Sequence, residues 1–226
     1  MESPKYNLDL IELARSVASD SLDREGEVMT HALVVSADRH VYVPGIFTDT
    51  RAKDVFAMTV RALGLTLRAK AVVFLSESWS FRGNTPEELK RYEAWRDAQG
   101  PEWSLGDYPG RLEVIVMRAE THEGTSMVIA EILRDESGKP SLGPSGEITF
   151  EPINPEDTMG TLQFSGRMTH LLLPKELQDS EKAQAAAQLY LTINGAKEVK
   201  IDPDNLDGTM EAVRMAEAGE QPGTLN

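Results

Sequence analysis

Residues 112–134, LEVIVMRAETHEGTSMVIAEILR, carry the clearest structural signal in the chain. Leu112, Val114 and Val116 alternate with Glu113, Ile115 and Met117, and after Thr121-His122-Glu123-Gly124 residues 126–133 resume apolar, β-forming character. Successive side chains on a strand point to opposite faces, so two such runs around a short polar turn predict an antiparallel hairpin. Upstream, Ala71-Val72-Val73-Phe74-Leu75 is apolar on both faces and reads as a central buried strand, closing in Ser76-Glu77-Ser78-Trp79. Residues 28–36 and 40–43 form another hairpin across Ala37-Asp38-Arg39, which Pro44-Gly45 ends.

Helical patterns flank these strands. Leu8, Leu10, Ile11, Ala14, Val17 and Ala18 follow a helical period behind Asn7 as N-cap, and that helix ends before Gly26. Val55, Phe56, Thr59, Val60 and Leu63 define a second helix, capped by Thr48 or Asp49 and stopping at Gly64. Thr85-Pro86-Glu87-Glu88 combines an N-cap, a proline at the first helical position and the glutamate of a capping box. Toward the C-terminus, residues 162–173 read as strand material, 180–191 as an alanine-rich helix, 199–201 as a short strand and 206–218 as a last helix before a frayed end.

This order predicts an α+β protein. Its sheet is mostly antiparallel or mixed, with helices packed on one face, one crossover through the second helix, and a helical, aromatic-rich insertion at 80–110. Residues 1–151 form the core domain, and 152–226 are a C-terminal extension of strand and helical segments, within the same domain or beside it.

Composition narrows the function classes. The 226 residues hold 37 acidic against 23 basic side chains, a formal net charge of −14, which disfavours nucleic acid and anionic membranes as partners. There is no cysteine, so disulfides and thiolate chemistry are excluded. Residues 1–7 carry neither the basic stretch nor the apolar run of a secretory signal, and no apolar run approaches the ~20 residues that span a bilayer. A cytoplasmic location without membrane attachment is expected.

No familiar catalytic motif stands in the chain. His31, His40, His122 and His170 lack ligand spacing, though the first hairpin could bring His31 and His40 together beside Asp38. Asp202-Pro203-Asp204-Asn205-Leu206-Asp207-Gly208 puts leucine and aspartate where a calcium loop needs a ligand and a glycine. Gly138-Lys139-Pro140-Ser141 is no phosphate loop, and Gly143-Pro144-Ser145-Gly146 is a turn. Neither a metal nor a cofactor is expected.

Two regions invite a functional reading. Glu77 shares a strand face with Leu75 and Trp79, where an apolar setting would raise its pKa and suit acid–base work; a simply wetted strand end is the plainer reading. Trp79, Phe81, Tyr92, Trp95, Trp103 and Tyr108 either cover the sheet as a secondary core, the plainer reading again, or present an interface. In the second case Trp79, Trp103 and Tyr108 mark the partner surface. The charge is also uneven: Arg51, Lys53, Arg61, Arg68 and Lys70 surround the second helix against Asp54 alone, while the stretch from Asp202 is acidic. Ordinary solvated faces are the plainer reading of that asymmetry, and charge-guided self-association or docking of the tail onto the helix the sharper one.

Ala71-Val72-Val73-Phe74-Leu75-Ser76-Glu77-Ser78-Trp79, followed by Glu113-Val114-Ile115-Val116-Met117 and Arg134-Asp135-Glu136-Ser137-Gly138-Lys139-Pro140, resembles a group of uncharacterised bacterial proteins, some phage-associated. The resemblance covers residues 28–143 and implies one folded unit there, with no particular activity. The expected function is a protein-binding or regulatory module, with another protein or a second copy as partner. The alternatives are a small enzyme with its site at Glu77, and a virion or assembly component.

Overall fold

The computed structural model describes residues 4–47, 49–99, 104–152, 168, 170–194 and 200–201. Helix α1 (Lys5–Glu25) ends on Gly26, whose φ of +79° lets its N–H reach back to the Leu22 carbonyl. Strands β1 (His31–Val35) and β2 (His40–Pro44) form the first hairpin. Helix α2 (Thr50–Thr66) starts at Asp49, whose carboxylate accepts from the Ala52 N–H. Strand β3 (Ala71–Ser80) follows, then α3 (Pro86–Ala98), β4 (Leu112–Thr121), β5 (Gly124–Arg134), β6 (Pro140–Ser145) and β7 (Thr149–Pro152). The described residues end with α4 (Lys175–Gln178), α5 (Glu181–Asn194) and β8 (Lys200–Ile201).

Every neighbouring pair in the sheet is antiparallel, in the order β6-β5-β4-β3-β1-β2-β8, with β7 also on β5. β6 and β7 together run the length of β5 as one bulged edge, where Gly146 N–H bonds the Ile129 carbonyl. Pro140 and Pro144, which have no N–H to offer, blunt that edge. The crossover through α2 joins β2 to β3, which run parallel but flank β1 on either side. The chain is thus an α+β protein, as its pattern predicts.

Helices cover both faces of the sheet, where the sequence pattern predicts one. On one side Leu10, Ile11, Ala14, Ala18 and Leu22 of α1 pack on Val73, Leu75, Ile115, Met117, Val128 and Ala130. On the other, Phe56, Val60 and Leu63 of α2 pack on Ala32, Val34, Val41, Val43, Val72 and Phe74. Two-sided cover follows from β3 itself, since Ala71–Leu75 is buried throughout and its alternate side chains need a layer on each side. Each fully buried leucine or isoleucine in these layers contributes on the order of 1.5–3 kcal/mol.

Several local expectations change. Asn7 lies inside α1, fully buried. Its Nδ2 donates to the Gly124 carbonyl at 3.1 Å and its Oδ1 accepts from Thr121 Oγ1 at 2.9 Å, pinning α1 to the β4–β5 turn. Gly64 sits within α2, which runs on to Thr66. Gly124 adopts φ +154°, and a Cβ there would fall 2.4 Å from the Glu151 carbonyl oxygen, so only glycine fits. The strand expected at 199–201 pairs on β2 as Lys200–Ile201. Thr48, most of 162–173 and the expected helix at 206–218 lie outside the described residues. Among the described residues no helix is long and apolar enough to cross a membrane.

Candidate functional site

β3 outruns β1. Its residues Ala71–Leu75 pair with β1, whereas Ser76–Ser80 pair with β4 only. The chain entering β1 runs beside this free stretch, held by side chains. Glu77 Oε1 accepts the Val28 N–H at 2.7 Å, and Thr30 Oγ1 lies 2.8 Å from Ser76 Oγ. Glu77 thus replaces a missing ladder bond. Partial burial pushes its pKa above the ordinary 4.5; the Val28 bond opposes this, while Glu27 and Glu113 reinforce it.

The surroundings of Glu77 are an open groove of about 410 Å³, bordered by Lys53, Ser78, Trp79, Gly106 and Glu113. Glu113 is occupied by Arg134 at 2.8 Å. Among the described residues the Glu77 carboxylate hydrogen-bonds only the Val28 N–H, while Glu27 and Glu113 stand near enough to raise its pKa. The arrangement suits holding a backbone together.

Past Ser80 and Leu112, the last paired residues of β3 and β4, the insertion leaves the sheet as an arm. α3 forms because Thr85 Oγ1 accepts the Glu88 N–H while Glu88 accepts the Thr85 N–H, the capping box expected from the sequence. No residue of α3 is buried, and the helix contributes nothing to either core layer. The arm is held instead by its own rings. Phe81 stacks on Tyr92 at 4.5 Å, and Tyr108 meets Phe81, Tyr92 and Trp95 edge-on or tilted at 5.3, 5.3 and 5.0 Å. Such pairs contribute about 0.5–1.5 kcal/mol each beyond burial, enough to fix a short arm.

These observations decide how the rings are placed. Phe81, Tyr92, Trp95 and Tyr108 cluster on one another as a small ring core of the arm, rather than as a cover over the sheet. Phe81, Tyr92 and Trp95 remain partly exposed and Leu89 is 47% exposed. Trp79 sits at the arm's root, 39% exposed, with the Arg111 guanidinium 4.5 Å from its ring centroid. Tyr108 belongs to the ring cluster, and its carbonyl takes the Arg111 N–H. Trp103 lies outside the described residues.

A buried ionic network escaped the sequence reading. Glu120 is 4% exposed on β4, its Oε1 lies 3.0 Å from Arg118 Nε, and its Oε2 accepts the Leu172 N–H at 2.8 Å. Burial pushes the Glu120 pKa up, against the pull of Arg118, the Leu172 and Leu171 amides and Arg61. Arg61 Nε–H donates to the His170 carbonyl at 3.1 Å. Together they strap 170–173 across the sheet and seat Leu171 and Leu172 in the α2-side core. The signal was present: Arg118 and Glu120 share the inward strand face of Val114 and Val116.

The histidines stay apart. In the first hairpin His31 pairs with Pro44 and His40 with Val35, at opposite ends of the ladder, so the pairing considered for a metal does not form. Among the described residues no three His, Asp or Glu side chains converge on a cation position. His31 is buried, with Nδ1–H donating to the Met29 carbonyl at 2.8 Å and its ring 4.9 Å from Tyr42. Burial pushes its pKa down from 6.5 to about 4. Compared with protein-family models, curated proteins and solved structures, the chain matches none.

Proposed function

We propose that this is a protein-binding module whose recognition element is the arm at residues 81–111. One observation carries the reading: α3 is well capped and fixed by ring stacking, yet has no buried residue. A helix that adds nothing to the core is retained for its surface. Tyr and Trp presented on a rigid support supply large contact area at low entropic cost, which is why they dominate binding hot spots. Interspersed charges on α3 (Glu87, Lys90, Arg91, Glu93, Arg96 and Asp97) suit a mixed protein surface better than a phosphate backbone.

The test compares baits in extracts of the native host. Tyr92→Ala and Trp95→Ala each lose a partner that the unaltered chain retains, with affinity falling by at least about 30-fold if the rings are hot spots. Identical capture by all three baits, with the fold intact by circular dichroism, refutes the reading.

A further inference from the structure

We infer that two copies of this chain associate through the outer face of α5, packed antiparallel about a two-fold axis. The helix is unusual in its sequence. From Ala183 to Asn194 it holds no charged residue, although 27% of the chain is charged and a run of that length would ordinarily hold about three. Ala183, Ala187 and Tyr190 turn inward, onto Ala62 and Leu65 of α2. At about 3.6 residues per turn, Ala185, Leu189 and Ile193 then run along the opposite side, flanked by Gln188, Thr192 and Ala186. All six are exposed, Leu189 at 61% and Ile193 at 72%. Beside them, where the Tyr190 hydroxyl donates to the Val55 carbonyl, Val55 and Met58 of α2 are exposed as well and extend the apolar area.

Charge and shape select a second copy as the occupant. A chain of net charge −14 repels its own copies, and a face without charge removes that cost where they touch. A two-fold contact must also be complementary to itself. Antiparallel pairing centred on Leu189 sets that residue against the partner's Leu189, Ala185 against the partner's Ile193 and Ala186 against the partner's Thr192. Small side chains thus oppose larger ones at both ends of the contact, which lets the helices approach and interdigitate. With the adjoining part of α2, the face measures about 20 Å by about 20 Å, so the two copies bury roughly 800 Å² in total. Stable interfaces bury ~1,200 Å² or more, which makes this association reversible and dependent on concentration.

Sedimentation velocity of the full chain reads the association directly. Between about 1 and about 500 μM the protein passes from monomer to dimer. Leu189→Glu weakens the dimer at least about 30-fold, and because Leu189 is exposed the variant keeps the wild-type urea midpoint. Added salt strengthens the wild-type dimer by screening the net charge, whereas a charge-guided contact would weaken. The chain has no cysteine, so single cysteines report the geometry. Under mild oxidation Leu189→Cys links to its own copy, and Ala185→Cys links to Ile193→Cys when the two variants are mixed. Ala185→Cys alone does not link, since its two copies lie about 12 Å apart along the helix axis. A chain that stays monomeric throughout overturns the inference and leaves the face to a different protein. So does a dimer that Leu189→Glu leaves intact, or linking of Ala185→Cys alone as efficient as that of Leu189→Cys.

Discussion

Acid sensitivity at His31 follows from burial and can be worked through. The ring is fully enclosed, and its folded pKa is pushed from 6.5 to about 4. In the unfolded chain it takes up a proton near 6.5, so between those values the unfolded state holds more protons and stability falls as pH drops. Stability is fully present above the unfolded value and lost on approach to the folded one. At ~1.36 kcal/mol per unit, moving from about pH 7.5 to about pH 4.5 costs roughly 2.5 kcal/mol. Glu77 and Glu120, both raised, act in the opposite sense, so the wild-type profile alone is a mixture. His31→Asn keeps a donor for the Met29 carbonyl and removes the titration. Urea unfolding of both proteins, followed by tryptophan fluorescence, isolates the residue. The wild-type advantage shrinks by about 2.5 kcal/mol over that interval. A constant difference at every pH would show that His31 is not buried as described.

Other perturbations follow from the same structure. Glu120→Ala leaves Arg118 buried without its counter-ion and the Leu172 N–H without an acceptor, costing about 3–5 kcal/mol in urea unfolding; a loss under about 1 kcal/mol would contradict the network. Leu75→Ala, buried under α1, costs about 2–5 kcal/mol by thermal or urea unfolding. Glu77→Gln keeps an acceptor for Val28, so stability near pH 4 stays within about 0.5 kcal/mol. Burial raises the folded pKa of Glu77, so its stabilising contribution is full below the unfolded value and declines as pH rises through the folded one. The variant therefore gains on wild type between acid and neutral pH, and parallel pH profiles would contradict that sign.

Much of the fold was legible wherever one face alone decides the pattern. The β4–β5 hairpin follows from period-two alternation, and α3 from a capping box whose partners lie within one turn. Asn7 misled for a physical reason: a polar residue near a helix start is a cap unless a distant group claims it, and Thr121 and Gly124 do. Gly64 misled as well: it lies inside α2, which runs on to Thr66, at a position where a Cβ would meet only ordinary contacts. Glu77 was expected just beyond the central strand, whereas β3 runs on to Ser80 with Glu77 inside it opposite Ile115, and its role depends on Val28, 49 residues away in sequence. Whether the aromatic residues face the core or one another depends on where β3 and β4 stop pairing, and no local pattern encodes that.

The central claim is that the arm recognises a partner while the sheet carries stability. Ser80 and Leu112 are directly paired across β3 and β4, so residues 81–111 can be replaced by an Asn-Gly turn that closes the hairpin. Capture from native-host extract, compared between this protein and the full chain, is the most direct measurement. The account predicts an unchanged cooperative unfolding transition and loss of the partner that the full chain retains. A well-folded armless protein that holds the same partner with the same affinity would contradict it.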